Sequence, residues 1–134
     1  MSHARRILLD THAWVWWRSD PGQLSAAAAA AIDAAEELGL SAMSTFEIAA
    51  KAVRGKVRLD PNAAAWVADA LVHPRLRQLE VSHDIALAAA LLDGTWPHGD
   101  PVDRVLVATA LHFGWPIVSM DGKIRESGLV QVIW

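Results

Sequence analysis

Short apolar runs that stop on a charged or hydroxyl-bearing residue alternate along this chain with stretches of helical period, and that alternation constrains the fold more than any other feature. Residues 6–9 read as a buried strand stopped by Asp10. A mostly apolar helix over 11–18 follows, closed by the turn Asp20-Pro21-Gly22. Ser25 caps an alanine-rich helix over 26–38 with Gly39 as its stop, and 40–43 form a second strand. Ser44 and Glu47 have capping-box spacing at the head of a helix that runs through Arg54 to Gly55. Pro61 opens a helix reaching Val72, residues 76–81 alternate in period two as a strand, and Ser82 caps a helix to Leu92. After a loop over 94–99, Asp100 sets an N-cap before Pro101 at the first helical position, and 102–113 follow as a helix ended by Gly114. Residues 116–119 form a strand, 121–126 a turn or short helix, and 129–133 a last strand. The pattern predicts an α/β fold, a parallel sheet covered by helices on both faces with right-handed crossovers.

Composition narrows the function classes. The 134 residues suit one domain, and an apolar content of 53% excludes a disordered tail. The absence of cysteine excludes disulfide scaffolds, zinc ribbons and thiol nucleophiles. Twelve Lys and Arg against fifteen Asp and Glu give a net charge of −3, so bulk charge does not hold this chain on nucleic acid. Such an activity needs a local basic patch or a bound cation. Asp10 and His12 interrupt the apolar run after Arg5 and Arg6 too early for a signal peptide, and 26–32 is too short to span a bilayer. The expected location is cytoplasmic, with no membrane.

In open parallel sheets, ligands bind outside the carboxyl ends of the strands. Asp10 follows the first strand, Glu47 lies one turn into the helix after the second, Asp103 one turn into the helix at Pro101, and Asp121 after the strand at 116–119. Each also has a local role open to it. Asp10 and Asp100 can cap helices, Glu47 can complete a capping box, Asp103 can answer a helix dipole, and Asp121 can serve a turn. Four anions at one rim raise one another's pKa values, a cost that a divalent cation removes. Oxygen donors without His or Cys at ligand spacing favour Mg²⁺ or Mn²⁺. Such a site suits in-line hydrolysis of a phosphodiester.

Leu8-Leu9-Asp10-Thr11-His12, Ser44-Thr45-Phe46-Glu47-Ile48-Ala49, Asp100-Pro101-Val102-Asp103-Arg104-Val105-Leu106-Val107-Ala108 and Val118-Ser119-Met120-Asp121 resemble, in order and over nearly the whole chain, the acidic motifs of PIN-domain ribonucleases. More narrowly they resemble the toxin half of VapBC-type toxin–antitoxin pairs. The resemblance implies a five-stranded parallel sheet of order 3-2-1-4-5 in an α/β/α sandwich. It also implies a Mg²⁺-dependent endoribonuclease acting on tRNA, rRNA or mRNA, a small antitoxin partner, and a homodimer. Its acidic positions fall on Asp10, Glu47, Asp103 and Asp121, with Asp10, Asp103 and Asp121 as metal ligands and Glu47 acting through water. Asp100 departs from the family's minimal pattern, which has a single acid there. Thr11, Ser44, Asp100 and Ser119 stand ready to orient the acids.

Lys51 and Arg54 share the helical face of Glu47, Lys56 and Arg58 follow, and Arg104 adjoins Asp103. Lys51, Arg54, Lys56 and Arg104 are therefore candidate phosphate contacts, against the alternative of a solvated face with Glu47–Lys51 pairing. Trp14, Trp16 and Trp17 crowd one helix, so at least one indole is expected near the surface, at a protein interface or under a base, and the others in the core. His12, His83, His98 and His112 form no ligand pattern. Three other functions fit less well. A phosphoacceptor receiver module leaves Glu47 and Asp103 without work, a phosphatase with Asp10 as nucleophile finds His12 where an acid is expected, and an inert PIN-like binding protein has no need of four acids.

Overall fold

The computed structural model describes residues 4–94 and 99–134. Five strands, β1 (Arg6–Leu9), β2 (Glu37–Ser41), β3 (Leu76–Leu79), β4 (Ile117–Val118) and β5 (Val132–Ile133), form one parallel sheet of order β3-β2-β1-β4-β5. The helices are α1 (Thr11–Ser19), α2 (Ala26–Ala34), α3 (Ala42–Val53), α4 (Ala63–Ala70), α5 (His83–Ala90), α6 (Pro101–Phe113) and α7 (Gly122–Ser127). The strand order is the expected one. It differs from the 2-1-3-4-5 order of receiver domains, because β2 rather than β1 pairs with β3. The receiver alternative falls on that pairing.

Ile7, Leu8 and Leu9 are fully buried, as a central strand covered on both faces requires. Ile7 and Leu9 face one core with Trp14, Ile32, Leu38, Leu40 and Val118, while Leu8 faces the other with Leu106, Val107, Ile117 and Ile124. β1 is also where the strand order reverses, between β2 and β4. The crevice at the carboxyl ends of β1 and β4 is thus the topological switch point, and Asp10 and Ser119-Met120-Asp121 leave the sheet there.

Three expectations are corrected. The helix expected over 26–38 ends at Ala34, because Glu37 and Leu38 pair with Arg6 and Ile7 of β1 and that pairing overrides helix propensity. One Arg75 guanidinium nitrogen donates to the carbonyls of Ile32 and Ala35 at 2.7 Å each, satisfying the helix end. Gly39 is therefore a strand residue. A Cβ there would lie 2.8 Å from Cζ3 of Trp115 and 3.0 Å from Cδ1 of Leu79, so its role is to admit an indole against the sheet. The second strand spans 37–41 instead of 40–43, and the capping box is not formed. Ser41 caps α3, its Oγ accepting from the Met43 amide at 3.1 Å, which leaves Ser44 buried in the first turn and Glu47 free of capping. Most of the loop expected at 94–99, with His98, lies outside the described residues. Among the described residues, no helix is long and apolar enough to cross a membrane.

The indoles divide as their crowding implied. Trp14 is fully buried, donating Nε1–H to the Ala70 carbonyl at 3.3 Å, and Trp17 packs on the same core against His73. Trp16 is absent from the side chains packed on any buried cluster among the described residues.

Because Trp115 is itself stacked on Phe113 at 4.8 Å, its ring has little freedom to retreat. Gly39→Ala should destabilise the fold by about 1–3 kcal/mol in urea unfolding. Much of that loss should return when Trp115→Leu is combined with it. A Gly39→Ala protein as stable as the parent would contradict the packing described.

Candidate active site

Three helices begin at the switch point, each capped by an aspartate. The Oδ1 atoms of Asp10, Asp100 and Asp121 accept backbone amides of Ala13 (2.7 Å), Val102 (2.9 Å) and Lys123 (2.8 Å). The local roles open to Asp10 and Asp100 in the sequence are real, yet they occupy only one oxygen of each carboxylate. All three residues, with Asp103 and Glu47, line a single cavity of about 260 Å³ together with Thr11, His12, Leu106 and Met120. Acids from four separate segments thus share one space. A larger open cleft of about 530 Å³, lined by residues between Ala52 and Ala63, contains no carboxylate, so the acid chemistry belongs to the smaller cavity.

Buried hydroxyl groups tie these segments together. Thr11 Oγ1 donates to Ser44 Oγ at 3.0 Å, tying the first turns of α1 and α3 together. Ser119 is fully buried, its side chain hydrogen-bonds Asp10, and its Oγ accepts the Asp121 amide at 3.0 Å. One serine therefore sets two of the acids. Of the residues expected to orient the acids, Thr11 and Asp100 line the cavity, while Ser44 and Ser119 are buried.

Electrostatics carries the mark of this crowding. Burial is the main force raising the Asp10 carboxyl, with Glu47 adding to it, while Ser119, the Ala13 amide and His12 oppose it. Asp103 is pushed up to about 7, first by burial, then by the charges of Asp100, Asp121 and Glu47, and by a hydrogen bond with Asp121. Among the described residues, no three Asp, Glu or His side chains are gathered into a closed coordinating group. The fit to a divalent ion rests on the donor set instead. It is all oxygen, negatively charged, and penalised by mutual repulsion that a hard cation offsets.

The basic residues divide. Lys51 pairs at 3.7 Å with Glu47, which lines the acidic cavity, without lining it itself. Arg54 and Lys56 are exposed beyond it, Lys56 lining the larger cleft. Arg104 is corrected as a phosphate contact, because it is buried and its guanidinium donates to the Ala90 carbonyl at 3.1 Å. As the residue next to Asp103 it is turned about 100° round the α6 axis, toward α5, and it does not line the cavity. His12 and Met120 are cavity residues that the motif reading did not assign. Their adjacency to Asp10 and Asp121 was the available signal.

The PIN domain family model matches residues 7–128. The chain is 36% identical over 120 residues, 90% of both sequences, to Ribonuclease VapC22 of Mycobacterium tuberculosis. Its fold is similar to that of VapBC2 from Rickettsia felis bound to a DNA fragment from its promoter (TM-score 0.70, 11% identity, 95% of this chain and 96% of that one). It is similar also to Mycobacterium tuberculosis VapC20, a sarcin-ricin loop cleaving toxin (TM-score 0.68, 19% identity, 96% and 99%).

The raised Asp103 carboxyl has a signed consequence. Its folded state binds a proton more tightly than the unfolded chain, so its contribution favours folding at low pH and is lost as pH climbs from about 4 through about 7. His73 is lowered, chiefly by burial, and acts in the opposite sense near its ordinary value of 6.5. The test is therefore the difference in Tm between metal-free parent and Asp103→Asn across pH 4–8. The parent should lose stability relative to the variant as pH rises, and saturating Mn²⁺ should abolish that trend. A pH-independent difference would contradict the crowding.

Proposed function

The chain belongs to the PIN-domain family, and from that membership and its acidic cavity we propose that it is an endoribonuclease dependent on a divalent cation, Mg²⁺ with Mn²⁺ as substitute. It acts as the toxin of a type II toxin–antitoxin pair. Its substrate is RNA of the translation machinery (tRNA, rRNA or mRNA), its partner a small antitoxin, its assembly a homodimer and its compartment the cytoplasm. The relative sharing most of its length is a ribonuclease, and the VapBC structure of similar fold supports the antitoxin. The observation that carries the reading is the convergence of Asp10, Glu47, Asp103 and Asp121 on one cavity.

Asp10, Asp103 and Asp121 would hold the cation. When bound, it supplies Lewis-acid polarisation of a phosphoryl oxygen and acidification of water. The chain's own residues do the rest. Asp10 is fixed in rotamer by the Ala13 amide and Ser119, so its second oxygen is aimed without a reorganisation cost. Glu47, held by Lys51 at the cavity wall, is the group that orients the attacking water and accepts its proton. Asp100 adds negative charge beside Asp103 while capping α6. Lys51, Arg54 and Lys56 draw the phosphate backbone toward the acids.

Purified protein should cut labelled cellular RNA in Mg²⁺ or Mn²⁺ and stop on addition of EDTA. Asp10→Asn keeps an N-cap of equal quality, so it should fold with unchanged or raised Tm. It and Asp103→Asn should lose activity by at least about 100-fold, and Glu47→Gln by about 10²–10⁴-fold. Cleavage that survives EDTA or these substitutions would overturn the assignment. A folded wild type that binds RNA but never cuts it would instead support an inert PIN-like protein.

A further inference from the structure

Trp16 needs an explanation that the core does not provide. Trp14 fills the core, Trp17 packs on it against His73, Trp66 donates to Ser19 at 3.2 Å, and Trp115 fills the notch at Gly39. Trp16 packs on no buried cluster among the described residues. Its ring neighbours are His12, at 5.5 Å between centroids, and Trp134, at 5.8 Å, with ring planes tilted by 42° and 48°.

The position of these rings matters. His12 is exposed and lines the acidic cavity. Trp16 follows it by one turn on the same face of α1, about 6 Å further along the helix axis. Trp134 comes directly after β5, at the same carboxyl rim of the parallel sheet as the acids, and its own packing on the core steadies it. A half-exposed aromatic series therefore leads out of the cavity that contains the acids. Aromatic faces bind nucleobases through stacking that tolerates sequence, whereas phosphates have no use for them.

We propose that His12, Trp16 and Trp134 form a stacking platform for unpaired nucleobases next to the scissile phosphate. The inference rests on the ribonuclease reading and adds to it the side chains that hold bases beside the phosphate. The platform holds the bases that flank the bond while the acids act on the phosphate.

The test uses the full chain carrying Asp10→Asn, so that RNA is bound but not cut, and fluorescently labelled short single-stranded RNAs of random sequence. Trp16→Leu and Trp134→Leu should each weaken binding by about 5- to 100-fold, the worth of one stacked base. Trp16→Phe, which keeps a ring, should stay within about threefold of the parent. The same RNAs annealed to complementary strands should bind weakly and respond little to these substitutions. Leucine variants that bind single strands as the parent does overturn the platform, and a change in their sedimentation would assign the indoles to a protein interface instead. An equal loss in Trp16→Phe and Trp16→Leu overturns it also. Wild-type protein in Mn²⁺ separates the two claims. If it neither binds nor cuts the RNA pool, the ribonuclease reading fails and takes the platform with it, whereas cutting with unaltered leucine variants removes the platform alone.

Discussion

Repulsion among carboxylates at the carboxyl rim of the sheet is the constraint on which the rest of this structure turns. Asp10, Asp100, Asp103, Asp121 and Glu47 share a cavity of about 260 Å³, and no fold gathers such charge without compensation. Part of the compensation is built from backbone. The N-termini of α1, α6 and α7 meet at the cavity, and each gives an amide to its capping aspartate. It is incomplete, as Asp103, raised to about 7, demonstrates. On the reading proposed above, a hard divalent cation completes it, and the electrostatic cost of the crowded acids is what such an ion would relieve.

Capping and catalysis are not competing explanations of these aspartates. One oxygen fastens each side chain to its own helix, and that fastening fixes where the other oxygen points. Ser119 extends the economy by serving Asp10 and Asp121 together, and the Thr11–Ser44 bond locks the first turns of α1 and α3 in register. The sheet's switch point brings in the remaining geometry, because β1 and β4 are neighbours despite more than a hundred residues between them.

The acids, the first strand and α6 were legible in the sequence because each is decided locally. An apolar run ends on Asp10, and Asp100-Pro101 ahead of Gly114 brackets a helix by capping chemistry alone. What was not legible depended on partners distant in sequence. Gly39 looked like a helix stop, whereas the indole of Trp115 is what requires it. Ser44 and Glu47 carry the spacing of a capping box, but Ser41 ends β2 and takes the cap first. Arg104 neighbours a site acid in sequence, yet its guanidinium is buried on the Ala90 carbonyl. Crowding in α1 implied that one indole would be left out of the core. Only the contacts of Trp16 with His12 and Trp134 identify which one.

The most direct test of the cavity as a cation site is anomalous diffraction from crystals soaked in Mn²⁺. A peak within coordination distance of the Asp10, Asp103 and Asp121 carboxylates, lost in crystals of the Asp103→Asn protein, is the result expected from charge crowding that a hard cation offsets. Well-ordered crystals with no manganese between those side chains, or with the ion bound only elsewhere on the surface, would contradict it.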